Sequence, residues 1–105
     1  MPQYAILQSH PPDNCPLTNR AVREFVMSRM PNLDQYAAKY GVTVNANHHL
    51  DPAHRALLLL EAPTAEAARD FVFEAGFMHY TDMEFFLVTP VAELVQRSAD
   101  VPTVY

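Results

Sequence analysis

Residues 42–61, VTVNANHHLDPAHRALLLLE, read as two β-strands joined by a short turn through Leu50, Asp51, Pro52 and Ala53. The first strand, Val42 to His49, alternates: Val42, Val44 and Ala46 fall on one face, Thr43, Asn45 and Asn47 on the other. The second, His54 to Glu61, is apolar on both faces. Three of the five histidines, His48, His49 and His54, crowd the turn. A hairpin in mid-chain constrains everything on either side of it.

Upstream, residues 3–9 read as a strand that stops at His10-Pro11-Pro12, because tandem prolines cannot continue a ladder. After the turn-rich Asp13-Asn14-Cys15-Pro16-Leu17, Thr18 is placed to cap a helix with Val22, Phe25, Val26 and Met30 on one face. Pro31 should kink that helix, and Gly41 should end it. Downstream, Thr64 caps a second helix whose stripe is Ala68, Phe71, Val72 and Ala75, stopped by Gly76. A fourth strand runs from Met83 to Val88, and Thr89-Pro90 opens a short helix to about Arg97. The order is β-α-β-β-α-β, the ferredoxin-like pattern. Right-handed crossovers then give an α+β fold with strand order 4-1-3-2 and both helices on one face. Residues 1–97 make one domain, and residues 98–105 make a tail without periodicity.

The first, third and fourth strands are apolar on both sides, as Ile6 and Leu7, Leu57 and Leu58, and Phe85 and Phe86 show. Two helices cover one face only, and a bare apolar sheet is larger than monomers usually tolerate. The expected solution is a homodimer packed sheet on sheet. The alternative is that the C-terminal helix and tail fold back over the open face.

Composition narrows the partners. A formal net charge of −5, with one lysine and six scattered arginines, supplies no basic patch for nucleic acid or an anionic membrane. The longest apolar run, Ala56 to Leu60, is too short to span a bilayer, and the N-terminus lacks the basic and apolar regions of a signal peptide. With a single cysteine no internal disulfide is possible, so the expectation is a cytoplasmic protein. Both glycines sit as helix stops, so no Gly-rich phosphate loop exists and no nucleotide cofactor is expected.

The Asp13-Asn14-Cys15-Pro16 loop, Pro52-Ala53-His54, Glu61-Ala62-Pro63 and Thr89-Pro90-Val91 resemble the dimeric α+β barrel superfamily. More narrowly, the chain resembles an uncharacterised bacterial and archaeal small-protein family within it, over about residues 3–95. That resemblance implies a ferredoxin-like dimer. The superfamily includes cofactor-free monooxygenases, muconolactone-isomerase-like enzymes, haem-handling enzymes and a nickel-binding branch, so it leaves the function open.

With this strand order, one edge of the sheet collects the end of the first strand, the hairpin turn and the start of the fourth strand. His10, His48, His49, His54 and His79 all lie there, with Cys15 in the adjoining loop. His49 and His54 are expected to face each other across the hairpin, roughly 5 Å apart at Cβ. His10 would then supply a third ligand, and Cys15 or His79 a fourth. Mixed imidazole and thiolate ligation suits a divalent transition metal (nickel, zinc or copper). No HExxH, paired CxxC or 2-His-1-carboxylate spacing accompanies the cluster, and any one histidine alone reads rather as a surface residue or as the partner of a buried backbone carbonyl. The second reading is a dimeric-barrel enzyme acting on a small aromatic or apolar molecule, with His79 or His10 as base and Tyr80 as donor. The third is a dimer that carries no small ligand. Thr43, Asn45 and Asn47 would orient a small ligand if they lined a cavity, but on an edge strand they read rather as facing water; Asp82 and Glu84 read as outer partners for a histidine or as a solvated strand start.

Overall fold

The computed structural model describes residues 1–105. Strand β1 (Gln3–Ser9) leads through a 3-10 turn at Pro12–Asn14 to helix α1 (Arg20–Arg29). A second 3-10 turn, Met30–Asn32, separates α1 from α2 (Leu33–Lys39), where the missing Pro31 amide hydrogen interrupts the α ladder. Strands β2 (Thr43–Leu50) and β3 (Arg55–Glu61) form the hairpin, followed by α3 (Ala65–Ala75), β4 (Asp82–Val88) and α4 (Val91–Arg97). The sheet is antiparallel throughout, in the order β2-β3-β1-β4. This is an α+β fold consistent with the ferredoxin-like pattern.

Capping agrees with the sequence in one helix and differs in the other. Thr64 Oγ1 accepts from Ala67 N at 3.1 Å, and Gly76 closes α3 in the left-handed region at φ +87°. The cap of α1 is Asn19, one residue later than expected; its Oδ1 accepts from Val22 N at 3.0 Å. Thr18 is otherwise engaged, its hydroxyl donating to Pro12 O at 3.0 Å and so bracing the loop that carries Cys15.

The core lies between the sheet and the α2 and α3 helices. Tyr4, Ile6, Leu58 and Leu60 meet Phe71 and Val72 there, and Ala68 and Ala75 complete the α3 stripe as expected. Ile6, Leu58, Leu60 and Phe71 are each no more than 1 % exposed. Helix α1 is different: none of its residues is buried, so it stands partly off the sheet and leaves a cleft beneath it.

Register decides which side chains reach that cleft. Val44 pairs with Leu60, but the next pair is Ala46 with Leu59, so Asn45 is an extra residue in β2. Such a bulge resets the side-chain alternation beyond it. Asn47 pairs with the buried Leu58 and His49 with Ala56, and both therefore join the helix-facing side with Val44. The expected grouping of Asn47 on one face with Thr43 and Asn45 fails for this reason, although all three are exposed to water as expected. His48, paired with Leu57, goes to the open face.

On that open face Ala5, Leu7, Leu57 and Leu59 are only half-buried and Phe86 is exposed. Helix α4 and the tail do not cover it, since every residue from 91 to 105 is exposed. The radius of gyration is 16.3 Å, against about 13 Å for a compact chain of this length, as expected of a C-terminal arm that stands away from the domain. No helix is long and apolar enough to cross a membrane.

Candidate metal centre

The β1 strand extends past its last ladder residue by one hydrogen bond, His10 N to His54 O at 3.1 Å. This bond sets the two imidazoles side by side, ring centroids 5.6 Å apart and nearly perpendicular. His54 itself is a turn residue held at φ +54°, a left-handed conformation that costs a non-glycine residue about 1–2 kcal/mol. His49 and His54 are therefore not facing partners: His49 lies opposite Ala56, and His54 falls outside the ladder.

Cys15 reaches the same place from the loop before α1. Its carbonyl accepts from Thr18 N at 3.0 Å and Asn19 N at 2.7 Å, which fixes the loop to the start of the helix. Asn14 Nδ2 donates to Tyr80 O at 2.8 Å and ties the loop to the approach to β4. The thiol is 1 % exposed, and Leu17 N donates to its sulfur at 3.4 Å.

His10, Cys15 and His54 each place a ligand atom within 4.8 Å of the other two. Around a tetrahedral zinc, ligand atoms stand roughly 3.5 Å apart, given bonds of about 2.0–2.3 Å. The triangle would have to contract by no more than about 1.3 Å to meet that geometry. The chemistry of the set is two imidazoles and one cysteine sulfur, with a backbone N–H already directed at the sulfur. His10 Nε2 is buried without a hydrogen-bond partner, and its ring is held neutral: burial, then the nearby His54 and His49, lower its pKa below the ordinary imidazole value. A neutral imidazole is the form that ligates.

The other histidines have separate places. The Nδ1 of His49 lies at hydrogen-bond distance, 2.6 Å, from Asp51 Oδ1. His79 packs edge-on against Phe25, with centroids 5.1 Å apart. His48 is exposed on the open face. Of the carboxylates suggested as outer partners, Glu84 lies 3.8 Å from Arg55 and Asp82 is exposed. Tyr80 sits 6.2 Å from the His10 ring, and burial, with Cys15 adding to it, raises its pKa, so the phenol keeps its proton at neutral pH.

One polar residue of this region escaped the sequence reading. Gln8 is 3 % exposed, in the core-facing row of Tyr4 and Ile6, and the amide nitrogen of its side chain has no partner. Its position in an otherwise apolar row was a visible signal. Asn47 reaches the helix side only through the bulge at Asn45. No protein-family model matches this chain, and no curated protein matches it.

Proposed function

We propose that the protein binds a divalent transition metal, zinc, nickel or copper, through His10, Cys15 and His54. The observation that carries this reading is the convergence within 4.8 Å of three ligand atoms from two chain segments, the β1–α1 connection and the hairpin turn. Three protein ligands leave a fourth position for water or another donor, the arrangement of open rather than closed zinc sites. Soft thiolate with imidazole disfavours calcium and magnesium.

The test is calorimetric titration of chelator-treated, untagged protein with Zn²⁺, Ni²⁺ and Cu²⁺, alongside elemental analysis of the protein as isolated. Tight binding in a one-to-one ratio is expected, and His54→Gly should weaken it strongly. Glycine accepts the left-handed backbone at residue 54, so this variant should lose no more than about 0.5 kcal/mol of stability and can gain about 1 kcal/mol. Millimolar binding of all three ions, or affinity unchanged by His54→Gly, would overturn the reading.

Acid should release the metal. Protons compete for both imidazoles and the thiolate, so affinity should fall steadily from pH 7 to pH 5. The metal-free protein should also lose stability on acidification. His10 is harder to protonate folded than unfolded, so the unfolded chain takes up more protons below about pH 6.5. The contribution is complete above that pH and declines as the pH drops toward the lowered folded value. Denaturant midpoints of wild type and His10→Phe at a series of pH values check this, the variant being flatter between pH 5 and 7.

The reading includes a second copy of the chain on the open sheet face. What supports it is the half-buried Leu7, Leu57 and Leu59 and the exposed Phe86, with no helix over them. Sedimentation of the wild type should give a dimer mass, and Leu59→Lys, placed at the centre of the face, a folded monomer. A monomeric wild type at tens of micromolar would refute this part alone.

A further inference from the structure

The two edges of the sheet are built differently. Strand β2 carries the Asn45 bulge and the exposed polar residues Thr43, Asn45 and Asn47, devices that discourage a further strand from adding. Strand β4 pairs with β1 from Asp82 to Val88 without a register shift and contains neither proline nor lysine. Its last four residues, Phe85-Phe86-Leu87-Val88, are uncharged, and Phe85, Phe86 and Leu87 are exposed. Nothing from the same chain covers its outer side. Helix α4 places Glu93 and Arg97 in a cleft with Gln3 and Glu61, at the ends of β1 and β3, and so turns back toward the inner strands. Beyond it, the one backbone hydrogen bond outside regular elements, Val101 N to Ser98 O, stays within the tail. Alternate residues of β4 therefore direct N–H and C=O groups into solvent. We propose that β4 pairs antiparallel with β4 of a second copy, joining two four-stranded sheets edge to edge.

Symmetry and charge select the second copy and the register. Antiparallel pairing of identical strands is self-complementary about a two-fold axis normal to the sheet, so residues that meet must share a face. With the axis at Phe85, each Phe85 meets its own copy, Glu84 meets Phe86, Met83 meets Leu87 and Asp82 meets Val88. The whole strand is then paired, and neither acid stands opposite an acid. Moving the axis to Glu84 sets two glutamates face to face, and moving it to Met83 sets Asp82 against Glu84; like charges directly opposite are destabilising. Moving it to Phe86 sets Asp82 against Pro90, which has no N–H to give. The Phe85 register leaves the two Glu84 side chains diagonal to each other, where Arg55, 3.8 Å from Glu84, offsets their repulsion. It also makes one apolar strip of Met83, Phe85 and Leu87 from both copies, on the side of the sheet that carries Tyr4 and Ile6. The joined sheet ends at two bulged β2 strands, so addition stops at two copies. This interface uses the edge of the sheet and leaves the open face free, so it rests neither on the metal reading nor on packing of sheet on sheet.

A single strand pair is a small interface of the weak, transient class, so association is expected at about 0.1–1 mM. Sedimentation of the full chain between about 20 μM and about 2 mM should show the mass double, in the wild type and in Leu59→Lys alike. Loss of the open-face interface in Leu59→Lys lowers the starting mass and leaves the doubling in place, which separates the two contacts. Leu87→Lys puts a lysine on the exposed edge and should weaken the doubling at least about tenfold, with thermal unfolding unchanged. The register is read by oxidation with glutathione disulfide of single-cysteine variants in a Cys15→Ser background. Phe85→Cys should form disulfide-linked dimers at least about tenfold faster than Leu87→Cys, although Leu87 is the more exposed, at 66 % against 44 %. In the proposed register Leu87 stands about 14 Å from its own copy, beyond the reach of a disulfide. An equimolar mixture of Met83→Cys and Leu87→Cys should cross-link faster than either alone. No doubling of mass by about 2 mM, or doubling unchanged by Leu87→Lys, would overturn the pairing. Faster cross-linking of Leu87→Cys than of Phe85→Cys would overturn the register.

Discussion

Replacing Cys15 with serine is expected to lower zinc affinity by about 10²–10³-fold. Structural zinc sites with four ligands are worth about 10–16 kcal/mol, so one ligand's share is about 3–4 kcal/mol. Thiolate would be the strongest of the three donors of the proposed site, and it alone would make that site selective for soft ions. The substitution also has a readout that a packing defect cannot imitate. Cobalt(II) bound by the wild type should show a sulfur-to-metal charge-transfer band in the near ultraviolet, and Cys15→Ser should lose it while retaining a weaker d–d spectrum from two imidazoles. Because Cys15 is 1 % exposed, the serine hydroxyl enters a tight space, but the Leu17 N–H that meets the sulfur can meet an oxygen instead. A variant that folds, binds zinc as tightly as the wild type and keeps the near-ultraviolet band would remove Cys15 from the site.

Gly76→Ala is expected to destabilise the fold by about 2–5 kcal/mol. A Cβ at residue 76 would stand 2.5 Å from Phe25 Cζ and 2.8 Å from Cε1, and φ is +87° there. The backbone alone accounts for about 1–2 kcal/mol and the overpacking for about 1–3 kcal/mol. The Phe25 ring has little room to withdraw, with His79 on one side at 5.1 Å and the Arg29 guanidinium at 5.2 Å from its centroid. Denaturant unfolding measures the loss. Adding Phe25→Leu should recover only the steric part, since a shorter side chain does nothing for the left-handed backbone. Complete recovery in the double variant would mean that the conformation at residue 76 is free of strain.

The hairpin, the strand order and the α3 stripe were legible because each rests on periodicity or on a residue with a single backbone role, such as Gly76. The convergence of His10, His54 and Cys15 at one edge followed from topology. What could not be read was anything set by one residue of register. The pattern at 42–49 alternates so cleanly that nothing marks Asn45 as the extra residue, and the bulge reverses the faces of Asn47, His48 and His49 relative to a regular strand. The proposed pairing of His49 with His54 assumed a ladder that closed at the turn. Instead, His54 takes a left-handed turn conformation and its carbonyl accepts from His10 N. The cap at Asn19 was missed through competition between neighbours, Thr18 being drawn to the Pro12 carbonyl.

The bulge also changes what the hairpin can tolerate. In a regular strand, losing one residue inverts every side chain beyond it. Here Val44 and Ala46 are already matched to the consecutive residues Leu60 and Leu59, so β2 carries one residue of slack at position 45. Shortening the strand there would leave the segments on either side in their present pairings, whereas the same deletion at position 47 or 48 would exchange the contents of the two faces. Length variation at this one point is thus uncoupled from the identity of the surfaces, and the hairpin can change its size without changing which side of the sheet holds its imidazoles.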